Sequence, residues 1–395
     1  MNNNKICVMV LAGLFGAATT SSQAADLEQR VAELERQAAS RPATEVSFGG
    51  YIKADTMFTR YSDGEKATAA IGDDFLVPST IPVGADEGAT RLHMIAKQSR
   101  VWMKTRTPTD VGDISSYIEL DFQTNGVGDE RVSNSEAARL RHAYLSWDKW
   151  LFGQTWTTFF NVSALPETLD FVGAVGTVFV RQSQIRYTRD HFMMALENPS
   201  STLYGGNQHP YDDNDSPDVI VRYNQNGDWG NLSLAAMGRQ LAYRDTVLLS
   251  RDQRWGYGVS VAGQFKLGQR DDFRLQLNYG NALGRYVALN AFRAGQIEAN
   301  GDIELIDQWA AVAALRHHWS DQWRSNLILS MVQADNPDTV AGTVNETVSS
   351  GHVNLIWQVA KPLILGGEVI YAQREDESGD SGDLTRLQFT ARYTF

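Results

Sequence analysis

Cysteine is all but missing from this chain. The single copy, Cys7, falls inside an N-terminal leader, so the mature chain has no disulfide, thiol nucleophile or thiolate metal ligand. It also lies too early to be a lipoprotein attachment cysteine, which would stand at the cleavage point. Long apolar runs are missing too. Beyond the leader nothing reaches the ~18 residues that a membrane-spanning helix needs, and mean hydropathy is -0.32. Such a chain can cross a membrane only as a closed β-barrel. A local catalytic motif is equally absent. His93, His142 and His191 stand isolated on strands, and His317 and His318 point to opposite strand faces, so no Ser-His or Asp-His pair is readable. Asp212, Asp213, Asp215 and Asp218 offer calcium-type oxygens without the spacing of a calcium loop, and read as a solvated outer loop. No enzyme activity, cofactor, metal site or nucleic-acid partner is expected.

Charge has to be read by position. The net charge of -12 gathers in predicted loops, at Asp73, Asp74, Asp86 and Glu87 and at Glu375, Asp376, Glu377, Asp380 and Asp383. Many Arg and Lys residues sit instead on alternating strand positions, so the bulk charge says little about what binds.

The N-terminus indicates a compartment. Lys5, the apolar stretch 6–18 and Ser22-Gln23-Ala24 form a signal peptide, 1–24, cleaved after Ala24. In the following segment, 25–45, Leu27, Val31, Leu34 and Ala38 are spaced like a coiled-coil seam, and Arg41-Pro42 ends the helix. A surface amphipathic helix or a disordered linker would share much of this pattern.

The final ten residues alternate strictly. Leu387, Phe389, Ala391, Tyr393 and Phe395 take one strand face, and Arg386, Gln388, Thr390, Arg392 and Thr394 the other. An edge strand of a soluble sandwich could alternate in this way, but sixteen such strands are readable. They fall at 46–60, 91–106, 112–124, 139–148, 150–160, 181–189, 191–198, 218–225, 231–243, 255–267, 272–283, 307–319, 322–334, 347–359, 363–375 and 384–395. Short turns, such as Asp148-Lys149 and Ser320-Asp321, alternate with long segments at 61–90, 161–180, 199–217, 284–306 and 376–383. That sorting describes a 16-stranded antiparallel transmembrane β-barrel over 46–395, with its N-terminus periplasmic, in a bacterial outer membrane. Trp147, Trp150, Trp156, Trp309, Trp319, Trp323, Trp357 and Tyr393 near strand ends suit aromatic girdles. Lipid and lipopolysaccharide are the expected surroundings.

A charge facing mid-membrane lipid costs ~2–4 kcal/mol, so strand bases should face the lumen. The candidates are Lys53, Arg100, Lys104, Arg106, Arg239, Arg274, Arg316, Arg386 and Arg392, with Arg139, Arg141 and Arg181 less firmly oriented. Fewer acids share that face: Asp55, Glu119, Asp121, Glu197 and Glu368. The excess of bases implies an anion-preferring pore for small anionic solutes. Segment 161–180 is the most apolar of the long connections, with Leu165, Leu169, Phe171 and Val172, and should fold inward. Glu167 and Asp170 would then face the basic wall across a constriction.

Phe48-Gly-Gly-Tyr-Ile-Lys-Ala-Asp55, Gln98-Ser-Arg100, Gly153-Gln-Thr-Trp-Thr-Thr-Phe159 and Pro166-Glu-Thr-Leu-Asp-Phe171, with the short helix before the barrel, resemble DcaP-like porins. That resemblance implies a homotrimer of sixteen-stranded barrels taking up small organic anions such as dicarboxylates. It also implies that Lys53, Arg100 and the loop bearing Glu167 and Asp170 belong to the channel, and that the helix is a trimer stalk. A structural or adhesive barrel without a transport role is the other class that these features allow.

Overall fold

The computed structural model describes residues 29–33, 44–85, 87–123, 131–205, 214–245 and 250–395. Residues 29–33 are helical; the rest of the expected stalk, and the signal peptide, lie outside the described residues.

Sixteen antiparallel staves close one barrel. They are β1 (Glu45–Tyr61), β2 (two runs, Thr90–Ile95 and Arg100–Thr107), β3 (Ile114–Asp121), β4 (Arg139–Trp147), β5 (Trp150–Trp156), β6 (Arg181–Arg189), β7 (Phe192–Glu197), β8 (Asp218–Gly227), β9 (Gly230–Asp245), β10 (Ser250–Leu267), β11 (Asp271–Gly280), β12 (Asp307–His318), β13 (Trp323–Asp335), β14 (Asn345–Ala360), β15 (Leu363–Asp376) and β16 (Ser381–Thr394). Alternation sets which side chains face out. On β11, Leu277 and Tyr279 are exposed whereas Gln276 and Asn278 are buried inside. The terminal strand completes the cylinder, pairing with β1 from Tyr51↔Thr394 to Tyr61↔Leu384. Phe395 and Gly50 then exchange backbone hydrogen bonds of 3.0 and 3.2 Å. A Cβ on Gly50 would lie 2.1 Å from the Arg100 carbonyl oxygen, so glycine is required there.

The structure departs from the expected strands by shortened ends, such as 272–283 stopping at Gly280, and more consequentially in three places. Segment 91–106 is not continuous: residues 96–99 leave the ladder, and the Lys53 N–H is satisfied by Ser99 Oγ at 3.1 Å. The break shifts the alternation. Leu92 and Met94 face outward before it and Val101 after it, which turns Arg100 and Lys104 to the lumen. Segment 150–160 ends at Trp156, because Thr157 to Phe160 already turn inward. Segment 376–383 is a tight hairpin in which Glu375 pairs with Ser381.

Part of the lumen is filled by loops. The first loop (62–89), the constriction loop (157–180) and the sixth loop (281–306) bring Leu76, Ile81, Phe159, Phe160, Val175, Tyr286 and Phe292 into one apolar core. This core packs on inward-facing Ala310, Val332, Val348 and Ile370 of β12 to β15. Those strands therefore carry apolar side chains on both faces, against lipid outside and loops inside. The open space beside these loops lies toward β16 and β1 to β5.

Phe292→Ala should remove about 3–5 kcal/mol from this core. A lower unfolding temperature in detergent, together with a larger single-channel conductance, is the expected result. Unchanged conductance with lowered stability would mean that the core does not restrict the pore.

Candidate functional site

The constriction loop crosses the lumen fastened to wall side chains along much of its length. Thr158 N–H donates to Glu197 Oε1 (2.6 Å), and Asn161 both caps the turn Val162–Ala164 and donates to the Ala262 carbonyl (3.1 Å). Arg274 donates to the Leu165 carbonyl, and Asn354 to that of Glu167 (2.9 Å). Leu169 N–H donates to the buried Glu368 (2.6 Å), while its carbonyl accepts from Lys53 (2.8 Å) and Gln388 (2.9 Å). Val175 and Gly176 N–H groups reach the hydroxyls of Ser350 and Ser330. A loop so fastened leaves few unsatisfied polar groups, which makes its burial affordable.

Beside the loop lies a cavity of about 560 Å³, lined on the wall by residues of β16, β1, β2, β3, β4 and β5. Arg100, Arg141, Arg392, Tyr51, Tyr117 and His142 face it, opposite Glu167 and Phe171 of the loop. A β-bulge on β4 explains two consecutive inward residues there. The register slips between Glu119 and Leu120, so that Arg141 and His142 are both buried on the lumen side.

The expected site residues divide by what holds them. Lys53 is 5 % exposed and spans Asp55, Gln98 and the Leu169 carbonyl at 2.7–2.8 Å, which makes it a loop anchor. Arg274 is another anchor, held also by Asp272 (2.7 Å). Arg316 pairs with Asp272 and lies 3.8 Å from Glu167. Arg139 is bidentate on Asp121 at 2.8–2.9 Å. Arg141 bridges Glu119 (2.7 Å) and Asp121 (3.0 Å), and Arg100 stands 3.4 Å from Glu119. Arg181 has no carboxylate in ion-pair range among the described residues, and lies 4.5 Å from the Trp156 ring centre. Lys104 faces the lumen, exposed, away from the cavity.

Both loop carboxylates meet bases of the wall: Glu167 through a bidentate contact with Arg324 at 2.6 and 2.8 Å, and Asp170 through Arg386 at 3.9 Å. Burial alone would raise the Glu167 carboxyl. The Arg324 hydrogen bonds and the charges of Arg324 and Arg316 outweigh burial and hold it below the usual carboxylate range. Asp170 does not face the pore as a free charge. It accepts from the N–H groups of Leu76 (2.9 Å), Val172 (3.1 Å) and Gly173 (2.9 Å), tying the first loop to the constriction loop.

Several participants escape a reading of the sequence. Arg324 opens β13 beside a turn, where alternation is weakest, although inward Asn326 and Ile328 place it in register. Trp156 faces the cavity and does not join a girdle. Neither His93 nor His142 is isolated: His93 bonds Asp74 (2.9 Å) and His142 bonds Thr155 (3.0 Å). His317 and His318 both meet Asp271 despite their opposed faces. Asp212 and Asp213 lie outside the described residues, and among the described residues no cluster suits a metal ion.

Comparison with known proteins places this geometry. Residues 16–395 match the family model for the DcaP outer membrane protein. Among solved structures, the outer membrane channel DcaP of Acinetobacter baumannii superimposes with a TM-score of 0.77 at 23% identity, covering 89% of this chain and 98% of that one. OmpT of Vibrio cholerae gives a TM-score of 0.53 at 13% identity, over 89% and 98% of the two chains. An anion-selective porin from Comamonas acidovorans gives 0.53 at 10% identity, over 89% and 100%. No curated protein sequence matches the chain. The closed barrel, the inward loop and the whole-chain family match agree: the chain belongs to the DcaP outer membrane protein family, a porin of the bacterial outer membrane.

Proposed function

We propose that this porin is a passive diffusion channel preferring small organic anions such as dicarboxylates. The observation that carries the reading is the charge balance at the cavity. Its carboxylates are already engaged: Glu119 by Arg141 and Arg100, Glu167 by Arg324, and Asp170 by backbone amides and Arg386. Arg392 lines the cavity with no carboxylate in ion-pair range among the described residues. An entering carboxylate therefore meets one guanidinium without a direct ion pair and two that are only partly neutralised, in a space walled by low-dielectric protein. Such a wall concentrates anions without catalysis, and shallow binding lets them leave. The solved anion-selective porin supports the reading by analogy of fold.

In this reading the mature chain begins after residue 24, three barrels assemble, and 25–45 forms a periplasmic stalk. A structural or adhesive barrel would carry no ohmic current. Purified protein in planar bilayers should conduct, and under a salt gradient its reversal potential should show anions more permeant than cations. Absence of current overturns the channel, whereas cation preference overturns only the selectivity.

Arg100→Ala should lower anion preference with the trimer intact. Lys53→Ala should raise conductance as well, because it releases the loop at Leu169. Unchanged reversal potentials in both variants would put the constriction elsewhere. Glu167→Gln should increase anion preference by unmasking Arg324 and Arg316. The sign with pH follows from the lowered Glu167 value. Its ion pair persists down to the ordinary carboxyl pKa of 4.5 and is lost only below it, so acidification should raise anion preference late. A rise already complete well above that pH would contradict the pairing. Deleting 26–40 should leave conductance intact if that segment is only a stalk, and size-exclusion of the variant reads whether trimers persist.

A further inference from the structure

The pore holds its arginines in two ways, and the difference decides which charges reach a solute. A carboxylate positions a guanidinium but cancels its field. An aromatic ring positions it through its π face and leaves the full charge on offer.

Tyr51 is the clearest case. It stands on β1 as the direct cross-strand partner of Arg100, and Arg392 is carried on the neighbouring β16 beside Lys53. The guanidinium carbons of Arg100 and Arg392 lie 5.2 and 5.7 Å from the same Tyr51 ring centre. All three residues line the cavity. Arg392 makes no ion pair among the described residues, and the buried Arg100 Nε has no hydrogen-bond partner. Two like charges are thus kept near one another by a neutral ring, on adjacent staves, with donor capacity unspent.

We infer that Tyr51 is the positioning residue for anion selection. By holding Arg392, which has no ion pair among the described residues, beside Arg100, which Glu119 neutralises only in part, it presents two guanidiniums to one solute, so that a solute with two carboxylates gains more than a solute with one. This inference rests on the proposed anion channel, but assigns the selectivity to a residue that bears no charge. Without the ring, both side chains regain rotamer freedom and Arg100 can close fully onto Glu119, its ion-pair partner at 3.4 Å.

The test uses the full-length trimer in planar bilayers, with Tyr51→Leu, Tyr51→Phe and Arg392→Gln measured against the parent. Reversal potentials in a potassium chloride gradient give the anion-to-cation permeability ratio. Bi-ionic potentials with succinate against acetate give the preference for two charges. Tyr51→Leu should lower both ratios roughly two- to fivefold, the range for a partly exposed cation–π contact. It removes no charge, so a general loosening of the pore would raise conductance without separating succinate from acetate. Tyr51→Phe keeps the π face and should retain parental ratios. If Arg392→Gln lowers the ratios while Tyr51→Leu leaves them at parental values, the positioning role is wrong and the anion channel stands. If Arg392→Gln changes nothing, the siting of selectivity at this wall fails as well.

Discussion

A loop can enter a barrel only if its peptide groups find hydrogen-bond partners there, and much else in this pore follows from that demand. The partners are wall side chains on many staves: Glu197, Arg274, Ser330, Ser350, Asn354, Glu368, Gln388 and Lys53. Each buried peptide N–H or carbonyl left alone would cost ~1–3 kcal/mol, so the lumen-facing polar residues are first of all a cradle for the loop. Apolar loop residues then bury themselves on β12 to β15, and that side of the cylinder closes. The open cavity is what remains along β16 and β1 to β5.

The same demand sorts the arginines. Those that face peptide carbonyls or carboxylates, such as Arg239, Arg274, Arg374 and Arg386, are spent on architecture. Arg239 and Arg386 are buried completely, and a solute would not meet them. A smaller set on one wall, Arg100, Arg141 and Arg392, borders open space. Counting lumen bases therefore overstates the field a solute experiences. The side chain that holds each base matters more than the number of bases.

Much of this was legible in the chain. Period-two alternation located all sixteen staves, since lipid outside and polar groups inside demand that pattern, and the apolar run at Leu165 to Val172 marked the loop that folds inward. Most expected lumen bases do face inward. What alternation cannot register is a slip in its own phase. The break at 96–99 and the bulge at Arg141 each reverse the faces of later residues, and both sit beside the cavity. The two-sided apolar strands β12 to β15 were visible in runs such as Trp309-Ala-Ala-Val-Ala-Ala-Leu315, a hint that the lumen there is dry. Partnership was not legible at all. Lys53 and Asp170 both line the cavity, yet one also clamps the Leu169 carbonyl and the other also caps loop amides. Such roles depend on contacts 94 or 116 residues distant, which no local pattern encodes.

The central claim is that solute anions are held at the β16–β1–β2 wall, where guanidinium charge is left available. A crystal structure of the porin soaked with a bromine-labelled dicarboxylate tests this directly. Anomalous density in the cavity, with carboxylates on Arg100 and Arg392, is the expected result. Density on the opposite wall, or at the loop side of Glu167 and Arg324 with that cavity empty, would contradict it.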